Sequence, residues 1–238
     1  MDKRLKQLLE NPAVELKHSA EWVLPVHRYA VSFKRVKRAQ MDILMKMMLL
    51  TFQETEIRRA ANLAEMLLVE ELFIADLMEK MLRMGLIRME KGSVKLTPKG
   101  QTQLNEGIFE EELDDEQTEL IYSPAHDRFW PEAGEAEGDT YRYAEDRAPN
   151  METMLQVLAE REEGRLEDGL QTVVSDIIAA EKKDTARVLC QEYQLYNQEQ
   201  DVYYCRVWNT ALREWDRVLE GEIEEHEQLD WRKMAGSH

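Results

Sequence analysis

Cysteine is almost absent from this chain of 238 residues: there are two, Cys190 and Cys205. Two thiols cannot build a disulfide framework, and they lack the paired short spacing of a zinc site. Their expected state is reduced and partly buried, as in a cytoplasmic protein. Long apolar runs are also missing. The greasiest stretch, Met41–Phe52, is broken by Asp42 and Lys46, well short of the ~20 residues that span a bilayer. No membrane partner is expected. The first residues, Met1-Asp2-Lys3-Arg4-Leu5-Lys6, have no apolar core behind them, so no secretory signal is expected either. The catalytic signatures are absent too: no Walker loop, no Gly-x-Gly-x-x-Gly, no Gly-x-Ser-x-Gly and no His-Glu-x-x-His. There is no internal repeat.

Charge is abundant and unevenly spread. Residues 1–106 hold 18 Lys/Arg against 14 Asp/Glu, a net of +4; residues 107–238 hold 13 against 34, a net of −21. A total of −17 opposes general attraction to DNA or anionic lipid. Any contact with nucleic acid must come from a local basic patch. Hydrophobic residues make up 43 %, enough for a real core. The charge break predicts domains at 1–106 and 150–238, joined by an acidic linker and loop over 107–149.

Leu5, Leu8 and Leu9 predict a short amphipathic helix at the start. From about Val26 to Arg38, Tyr29, Val31 and Phe33 alternate with Arg28, Ala30, Ser32 and Lys34, the pattern of a strand with one apolar face. It runs into Lys34-Arg35-Val36-Lys37-Arg38. Such a run is either a solvated edge that discourages aggregation or a patch that faces phosphate. Met41–Phe52 reads as a buried helix, with its methionines as adaptable core filling. The spacing Thr51-Phe52-Gln53-Glu54 suits a capping box for a second helix reaching about Leu68. A third runs from about Glu70 to Met84 and closes at Gly85. Leu86–Met89 and Val94–Leu96 flank a Gly-containing turn, a hairpin signal. Thr97-Pro98 starts another helix.

Beyond that, Glu106–Glu119 reads as an acidic linker or exposed helix, and residues 131–150 as a mobile loop. Leu120-Ile121-Tyr122 and Phe129-Trp130 predict a short strand and turn. Asn150 caps a helix from Met151 to about Arg161. Leu166–Ala180 reads as helix, with Leu170, Val173, Val174, Ile177 and Ile178 on one side. Val188–Leu195, Val202–Trp208 and Trp215–Leu219 fit a three-stranded meander, though Leu212, Trp215, Leu219 and Ile223 also have helical spacing. The charged end, Glu220–His238, reads as a solvated helix or frayed terminus.

Helix, helix, turn, helix and hairpin within about sixty residues is the layout of one family. Leu63-Ala64-Glu65-Met66-Leu67 resembles the second helix of a winged helix-turn-helix domain. Phe73, Leu77 and Met81 resemble the buried side of its third helix. Leu82-Arg83-Met84-Gly85-Leu86-Ile87 is similar to the exit into the wing, and Val94-Lys95-Leu96-Thr97-Pro98-Lys99-Gly100 to the closing strand and cap. The resemblance covers residues 41–106. It implies a winged-helix domain there; with the charge and the patterns on either side, the expected fold is α+β, an N-terminal winged-helix domain with the preceding basic strand, followed by an acidic mixed α/β domain.

In that family the third helix commonly enters the major groove and the wing touches the backbone. Here Glu70 and Glu71 stand where base-reading residues often lie. They favour the helix dipole and repel phosphate, and Leu72 beside them fits a protein contact. The wing carries Arg88, Lys91 and Lys95, with Lys99 just after it and Arg58 and Arg59 on the preceding helix. With Lys80, Arg83 and the strand cations Lys34, Arg35, Lys37 and Arg38, these are the candidate contacts to DNA backbone. Glu70, Glu71 and Leu72 are the candidate contacts to a protein.

The expectation is a non-enzymatic, cytoplasmic subunit of a bacterial nucleic-acid-handling complex that docks a partner protein, contacts DNA backbone, or does both. A homo-oligomer is compatible with it. No metal or cofactor is expected. The first alternative is a DNA-binding transcriptional regulator. The second is a metal-dependent nuclease, from Asp176 and the Glu-x-Lys spacing of Glu181-Lys182-Lys183. The five histidines are scattered, and His126-Asp127 is the only adjacent His-Asp pair.

Overall fold

The computed structural model describes residues 3–167 and 170–235. The first two residues, 168–169 inside the segment expected to be helical, and the last three of the charged end lie outside them. The chain opens with α1 (Lys3–Leu8) and then a 27-residue strand, β1 (Val14–Gln40). α2 (Ile43–Glu54), α3 (Ala60–Leu67), α4 (Glu71–Arg83), a hairpin of β2 (Ile87–Glu90) and β3 (Ser93–Leu96), and α5 (Pro98–Glu106) follow. Next come β4 (Ile108–Glu112), β5 (Glu116–Ser123), a 3₁₀ turn (Pro124–His126), β6 (Arg128–Trp130) and α6 (Met151–Glu162). The chain ends with β7 (Leu166–Glu167), β8 (Leu170–Asn197), β9 (Val202–Asn209), β10 (Glu214–Trp215) and α7 (Arg217–Ala235).

This corrects the expected fold. The protein is not an N-terminal winged-helix domain followed by an acidic domain. It is strand-rich, with the order β10-β9-β8-β1-β5-β6 in the main sheet, β4 also on β1 and β7 also on β8. The helices of residues 43–106 lie between two strands of that sheet. Two compact units result. One comprises Met1–Val31, Gln117–Met154 and Ala179–His238; the other comprises Ser32–Glu116 and Leu155–Ile178. The division does not follow the break in charge at residue 106.

Two segments account for most of the correction. Glu106–Glu119 is not a linker: Glu110, Glu111 and Glu112 of β4 pair in register with Arg38, Lys37 and Val36 of β1. Opposite charges directly across an antiparallel ladder support each other, so an acidic run becomes a strand because a basic strand lies beside it. Leu166–Ala180 is not a helix. Its apolar residues are mostly β-branched (Val173, Val174, Ile177, Ile178), which fit a pleated surface better than a helix.

In the second unit, α2–α5, the hairpin and Phe109 share one core. Met45, Met48, Leu49, Ile57, Leu63, Ile74, Met81 and Leu86 are among its fully buried members. The methionines do fill core, but α2 buries one side only: Ile43, Met47 and Leu50 are exposed. Thr51 is no cap; its hydroxyl donates to Met47 O within α2. Asp42 caps α2, its carboxylate accepting from Met45 N–H at 2.8 Å. On α4, Met81 is buried and Leu77 packs on the core as expected, but Ile74 takes the inward place expected of Phe73, which is exposed. Met89 on the hairpin is likewise exposed.

The first unit packs α7 on β9 and buries Trp22, Leu24, Trp130, Tyr141, Leu219 and Ile223. Two strands of the expected meander are present. The third shrinks to Glu214–Trp215 before α7 takes over. Residues 131–150 have no long element, yet they are pinned. Val23 N–H donates to Asp139 O at 2.8 Å, Tyr141 N–H donates to Val23 O at 2.9 Å, and the Tyr141 ring stacks on Trp22 at 4.4 Å.

Cys190 and Cys205 are buried and unpaired with each other, and burial pushes both thiols well above their ordinary range. The register opposes them to Asn209 and Gln194 respectively. Both should resist a thiol reagent in the native protein and react in full only on unfolding; fast reaction of either under native conditions would contradict this burial.

A close approach fixes α5. Thr97 accepts from Gly100 N–H at 3.0 Å and donates to Gly85 O at 2.6 Å. A side chain on Gly100 would meet Leu86 O at 2.1 Å. Gly100→Ala should therefore cost about 1–3 kcal/mol, toward the upper end because the obstacle is backbone. Urea denaturation of the full chain measures it, and an unchanged midpoint would exclude the contact.

Candidate functional site

The candidate cations do not form one basic face. Three of the four on β1 face or pair with carboxylates of their own unit. The Arg38 guanidinium donates to Glu110, from Nε at 2.9 Å. Arg35 lies 2.8 Å from the Glu116 carboxylate and 3.8 Å from that of Glu162, and is mostly buried. Lys37 faces Glu111 across the ladder. The basic strand is one half of a paired ladder, not an open phosphate grip. Lys34 alone in that run is exposed and lacks an ion-pair partner among the described residues.

The cations of the helices and hairpin divide similarly. Arg58 pairs with Glu56 at 3.7 Å, Arg88 with Glu90 at 3.0 Å and Lys99 with Glu112 at 3.2 Å. The Lys80 ammonium sits 5.3 Å from the centre of the Phe109 ring, a cation–π contact. Exposed pairs of this sort contribute ~0–1 kcal/mol each, so an incoming anion could displace them. Arg59, Arg83, Lys91 and Lys95 have no ion-pair partner within 4.0 Å among the described residues. Lys91 and Gly92 form the hairpin tip with positive φ of 51° and 81°. That is the backbone of a tight two-residue turn. Ile57 pairs with Val94 by an isolated bridge, which brings the segment carrying Arg58 and Arg59 alongside the hairpin. A cleft of about 490 Å³ gathers Lys80, Arg83 and Lys99 with Met84, Gly85, Glu111 and Glu112. Its two carboxylates offset much of its positive charge.

The α3–α4 turn has another character. Leu68 ends α3 in the left-handed region, with φ 55° and ψ 43°, and is 93 % exposed. A leucine held there costs roughly 1–2 kcal/mol relative to ordinary backbone. Leu72 is 68 % and Phe73 54 % exposed, with Met66 exposed beside them. Glu70 and Glu71 stand at the start of α4, both exposed. The expected protein contacts therefore fall on one surface. Sequence reading missed Leu68 and Phe73. A leucine where a glycine would be relaxed was the available signal for the first.

The first unit holds a buried polar network that resembles chemistry without the access chemistry needs. Ser123 Oγ lies 2.8 Å from His126 Nδ1, and His126 Nε2 lies 2.9 Å from Asp216 Oδ1. Asn209 donates to the other Asp216 oxygen at 2.8 Å, and Leu219 N–H to Oδ1 at 3.3 Å. The side chains of His126 and Asp216 are 1 % and 2 % exposed, and Ser123 is fully buried. No substrate can reach such a hydroxyl. The network caps α7 and ties it to the turn after β5. His126 was read against its neighbour Asp127, but its partner lies ninety residues on. Asp127 instead accepts from Tyr122 and pairs with Arg147.

Burial works to raise the Asp216 carboxyl, but His126, Asn209 and the α7 backbone together hold it below its ordinary value. Glu192 is similar. Burial opposes its charge, while the Arg142 fork (2.8 and 3.1 Å) and the Trp22 indole N–H (2.8 Å) keep its carboxyl low.

The nuclease alternative gains nothing from these surroundings. Lys182 is held by Asp146 at 3.1 Å and Lys183 by Glu119 at 3.2 Å. Among the described residues no group of three or more His, Cys, Asp or Glu could hold a metal ion. No helix of the described residues is long and apolar enough to cross a membrane. No family model matches the chain, and neither the curated proteins nor the solved structures compared with it give a match.

Asp216→Ala should destabilise the protein by about 3 kcal/mol at pH 7, since it strands buried donors and removes a cap. The folded carboxyl lies below its unfolded value of about 3.9, so its contribution is complete above that pH and vanishes as pH falls through the folded value. Urea melts of wild type and variant should thus converge on acidification. A gap that does not narrow as the pH is lowered below about 3.9 would contradict the role given to the carboxylate.

Proposed function

We propose that the chain is a non-enzymatic, cytoplasmic subunit of a bacterial nucleic-acid-handling complex, and that its principal contact is with another protein at the α3–α4 turn. The winged helix-turn-helix resemblance of residues 41–106 enters here as part of the proposal: it concerns the order of elements in this segment alone. The observation that carries the reading is the exposure of Leu68, Leu72 and Phe73. Large apolar side chains clustered in water mark interaction sites. Glu70 and Glu71 at the head of α4 would repel phosphate where a base-reading helix needs donors. That disfavours a transcriptional regulator.

A second contact, with DNA backbone, is supported by Arg59, Lys91 and Lys95, which have no ion-pair partner within 4.0 Å among the described residues. Such a grip would be sequence-independent and sensitive to salt. Of the β1 cations, Arg35, Lys37 and Arg38 are withdrawn from it and Lys34 remains.

Both contacts can be tested on the full chain. Fluorescence anisotropy with a mixed-sequence duplex at low salt should show binding that weakens about tenfold or more in Lys91→Glu/Lys95→Glu and falls steeply as salt rises. Leu68→Ser/Leu72→Ser should leave that binding intact and release the partner recovered from host extracts. Absence of DNA binding at low salt would remove the backbone contact; a partner retained by the double serine variant would remove the docking surface.

A further inference from the structure

We infer that the surface around the α3–α4 turn receives a basic amphipathic segment of another protein, a short helix with apolar side chains on one face flanked by lysine or arginine. The inference rests on the docking reading above and specifies the partner's chemistry. Two independent features of this surface point to it.

The first is charge. Residues 60–79 contain five carboxylates (Glu65, Glu70, Glu71, Asp76 and Glu79) and no lysine or arginine. All five are exposed, and none has an ion-pair partner within 4.0 Å among the described residues. Elsewhere in this unit carboxylates are commonly paired: Glu110, Glu112 and Glu116 all are. The turn itself, with Glu65, Glu70 and Glu71, is therefore left with negative charge that no ion pair offsets beside its apolar residues, the cations Lys80 and Arg83 lying at the far end of α4. Complementary positive charge on the incoming segment would steer it and fix its register.

The second is backbone. Leu68 occupies the left-handed region while its side chain stands almost wholly in water. Neither packing within the unit nor backbone preference explains a leucine there, since glycine would be relaxed. Strain kept at an exposed position points to use of the side chain. Leu68, Leu72 and Phe73 together offer exposed apolar side chains for the apolar face of an amphipathic helix to pack on.

Charge also argues against the other occupants. DNA would meet the carboxylates. A second copy docking the same surface about a two-fold axis would bring acidic rim against acidic rim.

The test uses the full chain and a displayed library of linear peptides of about 16 residues, long enough for helix. The library is selected on wild type and counter-selected on Leu72→Ser/Phe73→Ser. Enriched peptides should carry Leu, Ile or Phe at helical spacing and a net positive charge. A synthetic representative should lose about tenfold in affinity to Glu70→Gln/Glu71→Gln, and as salt rises. Leu68→Gly should raise Tm while weakening the same peptide several-fold, an opposition that a purely structural leucine would not produce. Enriched peptides that depend on Leu72 but are neutral or acidic would overturn the basic partner and leave the docking reading standing. Absence of any peptide that depends on Leu72 would overturn both. Concentration-dependent self-association abolished by Leu72→Ser, seen by sedimentation, would assign the surface to a second copy and overturn the inference.

Discussion

The pairing of the basic end of β1 with the acidic strand β4 is the constraint on which the functional unit depends. Arg38 meets Glu110, Lys37 faces Glu111, and Arg35 reaches Glu116 just beyond. Neither strand would be tolerated easily alone: each would line up like charges at close spacing. Side by side they form a nearly neutral ladder. That ladder returns the chain to β1 after α2–α5, so the helical insert begins and ends at neighbouring places, Met41 N–H bonding to Gly107 O at 2.9 Å.

The same pairing redistributes what is available for function. Four of the twelve candidate nucleic-acid contacts lie on β1, and three of those, Arg35, Lys37 and Arg38, now face or pair with carboxylates. What remains is a small set of cations on and beside the hairpin, and an apolar turn edged with carboxylates. The two surfaces suit different neighbours. In the function proposed, division of labour by charge would operate within this unit, not between the two halves of the sequence.

Local rules recovered local structure. The hairpin, the Thr97 cap, the Asn150 cap and Gly85 after α4 all depend on neighbours within a few residues. Non-local structure was not legible. Glu110–Glu112 read as linker because the partner that makes them a strand lies seventy residues earlier. Val173, Val174, Ile177 and Ile178 satisfied a helical period by coincidence, and their β-branching was the overlooked signal. Ser123, His126 and Asp216 come together only in three dimensions. Of the candidate site, Leu72, Glu70, Glu71, Lys91 and Lys95 keep the exposure that the sequence suggested, whereas Arg35 and Arg38 were credited with a freedom that their pairing removes.

A charge-reversal cycle on the ladder tests the account most directly. Arg38→Glu and Glu110→Arg should each destabilise the full chain in urea, and the double variant should recover much of the loss, with a coupling of about 1 kcal/mol. Strictly additive losses in the double variant would show that β1 and β4 do not oppose each other, and would return the basic strand to the pool of free phosphate contacts.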